Sequence, residues 1–156
     1  KITYLGQKKK RVLVQANLWD GDPDIDAMAR LTYMPIVKFN DVTGPYGSHQ
    51  VAPFNSQNTF IHRDALPFYC VLTNVGRMDD IWAAYILQHH MPDCVVYDVA
   101  TVYQDRNEQD LVKNLEDETL GYRKTLCLLS DLKNYMDYLP EKTKKFLKCY
   151  RDEIKK

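Results

Sequence analysis

Four carboxylates at alternate positions, Asp20, Asp22, Asp24 and Asp26, follow directly on an apolar run in the segment Asn17-Leu18-Trp19-Asp20-Gly21-Asp22-Pro23-Asp24-Ile25-Asp26-Ala27. Charge this dense repels itself unless a divalent cation, a set of polar donors or a helix N-terminus answers it. Asp22-Pro23-Asp24 and Asp24-Ile25-Asp26 both have D-x-D spacing. That spacing suits Mg²⁺ or Mn²⁺, hard ions that take carboxylate oxygens and keep open positions for phosphate. Such an ion neutralises a diphosphate as it leaves a nucleotide-sugar, so Asp22, Asp24 and Asp26 are candidate metal ligands. An EF-hand does not fit, because counting from Asp20 puts Ile25 where the loop needs Gly and Leu31 where it needs a bidentate Glu. The plainer alternative is a helix start, with Asp22 accepting backbone N–H groups and Asp24 and Asp26 in the first turn.

A second acidic pair stands in Gly76-Arg77-Met78-Asp79-Asp80-Ile81-Trp82-Ala83-Ala84-Tyr85. A carboxylate at a helix start that faces a cleft can take the proton of an acceptor hydroxyl or hold sugar hydroxyls, which makes Asp79 and Asp80 catalytic candidates. One of them could equally be a cap. Arg77 is a candidate phosphate or acid partner, and Trp82 offers the apolar face on which sugar rings pack, or else joins Tyr85 and Ile86 in a core. Asn55, Gln57 and Asn58 supply the paired donors and acceptors that sugar hydroxyls require, or a hydrogen-bonded turn. His62, His89 and His90 lack metal-ligand spacing with the acids, and no Gly-rich phosphate loop, G-x-S-x-G elbow or H-E-x-x-H is present.

The elements that must position these groups follow from patterning. Residues 11–19 read as a buried strand, then Pro23 suits a first helical turn capped by Asp22, with Ile25, Met28, Ala29 and Leu31 as an apolar stripe. Residues 41–51 carry dense turn chemistry and read as a flexible loop. Asp64 is placed to cap a short helix through Tyr69. A helix over 80–90 with Ile81, Trp82, Tyr85 and Ile86 on one side precedes a strand over 95–103. From Glu108 the pattern is charged and helical, with Leu111, Leu115, Leu120, Leu126, Leu128 and Leu129 as core contacts, and a last helix from Pro140 carries Phe146, Leu147 and Tyr150. Strands and helices alternate early and helices dominate late, so the class is α/β.

At 156 residues the chain is long enough for one domain, or one lobe of something larger, that buries roughly two thirds of its unfolded surface. Lys plus Arg and Asp plus Glu are both 21, so no net charge draws it to nucleic acid or an anionic membrane. The basic run at 8–11 reads as a solvated stretch before the first strand. Cys70, Cys94, Cys127 and Cys149 show no C-x-x-C pair and read as buried free thiols of a cytoplasmic or other reducing compartment. No 18-residue apolar stretch is present.

At the quoted motifs the sequence resembles the C-terminal half of the reversibly glycosylated polypeptides, the UDP-arabinopyranose mutase family, and the related STELLO-type glycosyltransferase-like proteins. Trp19 with Pro23-Asp24-Ile25-Asp26-Ala27 is similar to that family's Trp…Pro-Asp-x-Asp-Ala stretch, and Gly76-Arg77-Met78-Asp79-Asp80-Ile81-Trp82-Ala83 to its Gly-Arg-x-Asp-Asp-x-Trp-Ala. Pro53-Phe54-Asn55-Ser56-Gln57-Asn58-Thr59-Phe60 resembles the STELLO-type intervening segment. The resemblance covers roughly residues 13–107. It implies a partial or minimal nucleotide-diphospho-sugar transferase (GT-A) fold over 1–107, with 108–156 as a helical extension of the same domain. It also implies transfer or isomerisation of a sugar from a nucleotide-sugar to a carbohydrate or other hydroxyl acceptor, with Mn²⁺ or Mg²⁺. By that carry-over Asp79 and Asp80 would be catalytic or acceptor contacts; the residue types themselves make Trp19, Asn55, Gln57, Asn58, Arg77 and Trp82 the substrate-binding candidates, and a homo-oligomer is a further expectation. In that family the metal-holding acids lie upstream of the matched region, which leaves Asp22, Asp24 and Asp26 to take over that role or the chain to act as an acceptor-side lobe. The competing expectation is a non-catalytic carbohydrate-binding or assembly module, and a third is a metal-dependent phosphoesterase.

Overall fold

A computed structural model of the chain describes residues 6, 7, 9–40 and 43–154. Lys8 of the basic run, residues 41 and 42 of the expected loop, and the ends 1–5 and 155–156 lie outside the described residues. The first strand, β1 (Val14–Gly21), pairs antiparallel with β2 (Thr59–Ile61) and parallel with β3 (Val95–Gln104), giving a mixed sheet in the order β2-β1-β3. Val14, Ala16 and Val95 are buried on one face, where period-2 alternation puts them together. Gln15, Asn17 and Asp98 lie on the other. The β1–β3 register breaks between Asn17, opposite Asp98, and Trp19, opposite Val102. Residues 99–101 therefore oppose Leu18 alone, an irregularity of the kind that bends a strand and re-aims its side chains.

Helix α2 (Asp79–His90) lies in the chain between β2 and β3. Every residue from Trp82 to Gln88 is buried, so α2 is enclosed all round rather than on the single side its spacing predicts. Just before it, Gly76 turns the chain at φ 63, and a Cβ there would collide with the Asp117 carbonyl on the following long helix, α3 (Leu111–Ser130). Only glycine serves both the angle and the contact. A 3₁₀ stretch (Leu132–Tyr138) and α4 (Glu141–Ile154) complete the chain. Leu128, Tyr135, Leu139 and Leu147 share one core with Val14, Trp82, Ile86 and Val95, so the late helices and the sheet are a single mixed α/β unit.

Several local expectations are corrected. Helix α1 is Ala27–Thr32, capped by Asp26 and not by Asp22, because Asp22 is held by Arg30 and residues 23–25 form a turn. Its buried residues are Ala27 and Arg30, while Met28 and Leu31 face solvent. The turn at Arg63–Ala65 is 3₁₀ and is capped by His62, whose Nδ1 accepts the Asp64 N–H, so Asp64 is no cap. Leu126 is 79% exposed instead of core. All four cysteines are free, but Cys127 and Cys149 are exposed, against the expectation of burial. Among the described residues no helix is long and apolar enough to cross a membrane. The described part of the expected loop, 43–51, has no regular element beyond a bridge from Tyr46 to Tyr97.

Candidate functional site

The parallel pair β1–β3 runs out at one end of the sheet, and in open α/β sheets ligands bind outside the carboxyl ends of the strands. Three residues past β1 stands Asp24, and two past β3 stands Arg106. They meet: Arg106 Nη2 lies 2.6 Å from Asp24 Oδ1. Arg77 Nη2 approaches the same oxygen at 3.7 Å, while Asn55 Nδ2 (3.3 Å) and Gln57 Nε2 (3.2 Å) donate to Oδ2. Residues 55–57 also reach the second acidic cluster, because the Ser56 N–H and hydroxyl donate to Asp80 Oδ2 at 2.7 and 3.0 Å. One short segment thus ties the two carboxylate motifs to one side of the molecule. Asn55 is held nearly buried there, with Thr59 Oγ1 donating to its carbonyl at 2.6 Å.

The other carboxylates of the first cluster turn away from Asp24. Asp20 accepts the Phe39 N–H at 2.9 Å, and Asp22 pairs with the buried Arg30 at 2.6 Å. Asp26 caps α1 through the Ala29 N–H and accepts from the Tyr122 hydroxyl, both at 3.0 Å. Each acid has its own donors, so Asp22, Asp24 and Asp26 do not converge as a ligand set, and among the described residues no group of three His, Cys, Asp or Glu is placed to hold a metal ion. Asp24 in particular is ringed by N–H donors, surroundings that favour an anion over a second cation.

Asp79 is different. Burial, then the neighbouring Asp80 charge, push its carboxyl above its ordinary value, with the Asp80 N–H bond at 2.9 Å and the Arg77 charge pulling the other way. Beside the pair, the Tyr69 hydroxyl is buried with no hydrogen-bond partner among the described residues, and its ionisation is pushed up by burial first and then by Asp80 and Asp79. Tyr69 stacks on Phe54 with ring centroids 5.5 Å apart, which fixes the ring.

Trp82 is corrected from sugar platform to core. It is 0% exposed, and its indole N–H donates to Thr125 Oγ1 at 2.9 Å. Trp19, by contrast, lines an open depression of about 290 Å³ with Gln57, Asn58, Val102, Tyr103, Gln104 and Asp105. Asn58 donates from Nδ2 to the Leu18 carbonyl and to Thr101 Oγ1, both at 2.9 Å, the latter side chain brought in by the β3 irregularity.

Three residues of this network were outside the sequence expectations. Glu118 is 2% exposed, accepts Arg77 Nε at 2.8 Å, and takes the Ala27 N–H (2.7 Å) and Tyr122 hydroxyl (2.6 Å) on its other oxygen. Its signal was an acid seven residues past Leu111 and three past Leu115, on their apolar helical stripe. Arg106 followed a strand end, the place where α/β ligand contacts gather. Tyr122, four residues past Glu118, carried no such signal. A scan of protein-family models and a search among characterised proteins find no match to this chain.

Proposed function

We propose that the chain is a glycosyltransferase of GT-A type, transferring or isomerising a sugar held by a nucleotide diphosphate, with the acceptor bound beside Asp79. The observation that carries this reading is the joining of Asp24 and Asp80 through residues 55–57 at the carboxyl end of a parallel strand pair. The resemblance of the Trp19–Ala27 and Gly76–Ala83 motifs to glycosyltransferase-like families supports it, as does the character of Asp79. A carboxyl raised by burial is a better proton acceptor near neutrality than an ordinary one. In the proposed step the acceptor oxygen attacks the anomeric carbon, the bond to the phosphate oxygen breaks, the diphosphate leaves with the electron pair, and the proton passes to Asp79. Asp80, committed to Ser56, positions the amide segment, and Trp19, Gln57 and Asn58 line the depression offered to the sugar. No step passes through Mn²⁺ or Mg²⁺, because Asp22, Asp24 and Asp26 are each engaged with protein donors.

The test is Asp79→Asn, assayed with UDP- and GDP-sugars in Mn²⁺ and separately in EDTA. Transfer should fall by more than about 100-fold, the scale of general-base loss, while the fold melts no lower. Full activity in the variant would remove Asp79 from the chemistry. A second reading, a carbohydrate-binding module, is favoured by the polar row on the open sheet face. There Gln15 Nε2 donates to Asn17 Oδ1 (3.0 Å) and Asp98 Oδ2 (3.2 Å), with the exposed Phe60 opposite Gln15 on β2. Sugar binding without nucleotide dependence would select it.

A further inference from the structure

We infer that Arg77 and Arg106 form a receiving site for the phosphate oxygens of a diphosphate, and that Asp24 is the internal anion that occupies it until such a ligand arrives. The inference deepens the nucleotide-sugar reading and rests on it only for what the diphosphate is attached to. Four nitrogen-bearing side chains from three separate stretches surround one carboxylate: Asn55 and Gln57 donate to Oδ2, and the Arg106 and Arg77 guanidinium groups stand 2.6 and 3.7 Å from Oδ1. Guanidinium groups are planar, permanently charged and matched to the spacing of phosphate oxygens, and amides add neutral donors of the same sense. The geometry is that of an anion receptor filled by a side chain.

Arg106 shows that the filling is imperfect. Its side chain is only 12% exposed, yet Nε and Nη2 are buried without a directed hydrogen bond among the described residues, although Nη2 is 2.6 Å from Asp24 Oδ1. The charge is answered, but the N–H directions are not. Donors left this way in a buried guanidinium are costly, and a tetrahedral anion with several oxygens can meet directions that one carboxylate cannot. Arg77 is held from behind, since its Nε is given to the buried Glu118, which turns the Nη end toward Asp24 and leaves the group 32% exposed. The receptor also lies where the sheet opens, past the carboxyl ends of β1 and β3 and next to the depression lined by Trp19 and Gln57.

The arrangement predicts opposite signs for two neutralising substitutions. Calorimetric titration of the full chain with inorganic pyrophosphate in EDTA should give saturable binding. Arg106→Gln should weaken it by about tenfold or more, the loss expected for a desolvated charge partner. Asp24→Asn should tighten it by about tenfold, because the ligand no longer displaces a charged competitor. Arg106→Lys, which keeps the charge but not the fork, should fall between, and thermal melts followed by circular dichroism establish that each variant is folded. If Arg106→Gln does not fold, Arg77→Gln, on a different element, serves in its place. Weaker binding in Asp24→Asn, binding that requires Mn²⁺, or no saturable binding in either the parent or Asp24→Asn would each overturn the inference. Pyrophosphate carries no sugar, so its failure to bind while Asp79-dependent transfer persists would remove this site and leave the proposed reaction standing. Binding without transfer would do the reverse.

Discussion

The two acidic clusters, alike in the sequence, are opposite in the fold. The segment 20–26 is the more highly charged, yet each of its carboxylates is answered: Asp20 by the Phe39 N–H, Asp22 by Arg30, Asp24 by two arginines and two amides, Asp26 by α1 and Tyr122. The pair 79–80 is smaller and less fully served. Asp80 has Ser56, whereas Asp79 is raised by burial and meets little beyond the next N–H. Charge density therefore marks where a fold must supply partners, and a carboxylate left short of them is the better sign of chemistry.

The sharpest way to break the contrast is at Trp82, because the second cluster depends on the apolar enclosure of α2. Trp82→Ala removes a fully buried ring and should cost about 3–5 kcal/mol of stability, measured by urea unfolding. Loss of sugar binding at unchanged stability would return Trp82 to the role of platform. Next in size is Glu118→Ala, which strips Arg77 of a buried partner and frees the Ala27 N–H. Breaking a buried pair costs about 3–5 kcal/mol, and since Arg77 is partly exposed, about 2–3 kcal/mol is expected here, with a further loss of pyrophosphate affinity as Arg77 loosens. A stability change with Arg77 still in place by affinity would confine Glu118 to holding α1.

The smallest effect is the most specific. The Asp79 carboxyl is raised above its ordinary value of 3.8, so the fold prefers its protonated form. Below the unfolded value the group is protonated in both states and carries no penalty. As pH climbs through the raised folded value the penalty grows, and above it the penalty is complete. Asp79→Asn should therefore melt slightly higher than the parent near neutral pH and at the same temperature at about pH 3, below the unfolded value. A lower melting point at neutral pH would mean that the charged carboxylate stabilises the fold, and the contrast between the clusters would fail.

Much of the scaffold was legible along the chain. The first and last strands, the helix after Asp79 and the long late helices stand within a few residues of where periodicity puts them, because local apolar spacing dictates which segments can bury a face. Local residue types place the start of α1 at Asp22 and Pro23, ahead of the observed Asp26 and Ala27, because they carry no information on tertiary partners. Arg30, eight residues on, claimed Asp22 and moved the cap to Asp26.

Residue types and spacing alone determined that this chain forms a mixed α/β unit carrying two acidic motifs and an amide-rich segment between them. What only the tertiary structure decided is which oxygens are spent and which remain. Arg106 and Glu118, 82 and 94 positions from Asp24 along the chain, sit within its network because strand pairing and helix packing carry them there. Pairing between charges depends on separation in space, and the linear order of residues does not contain that distance.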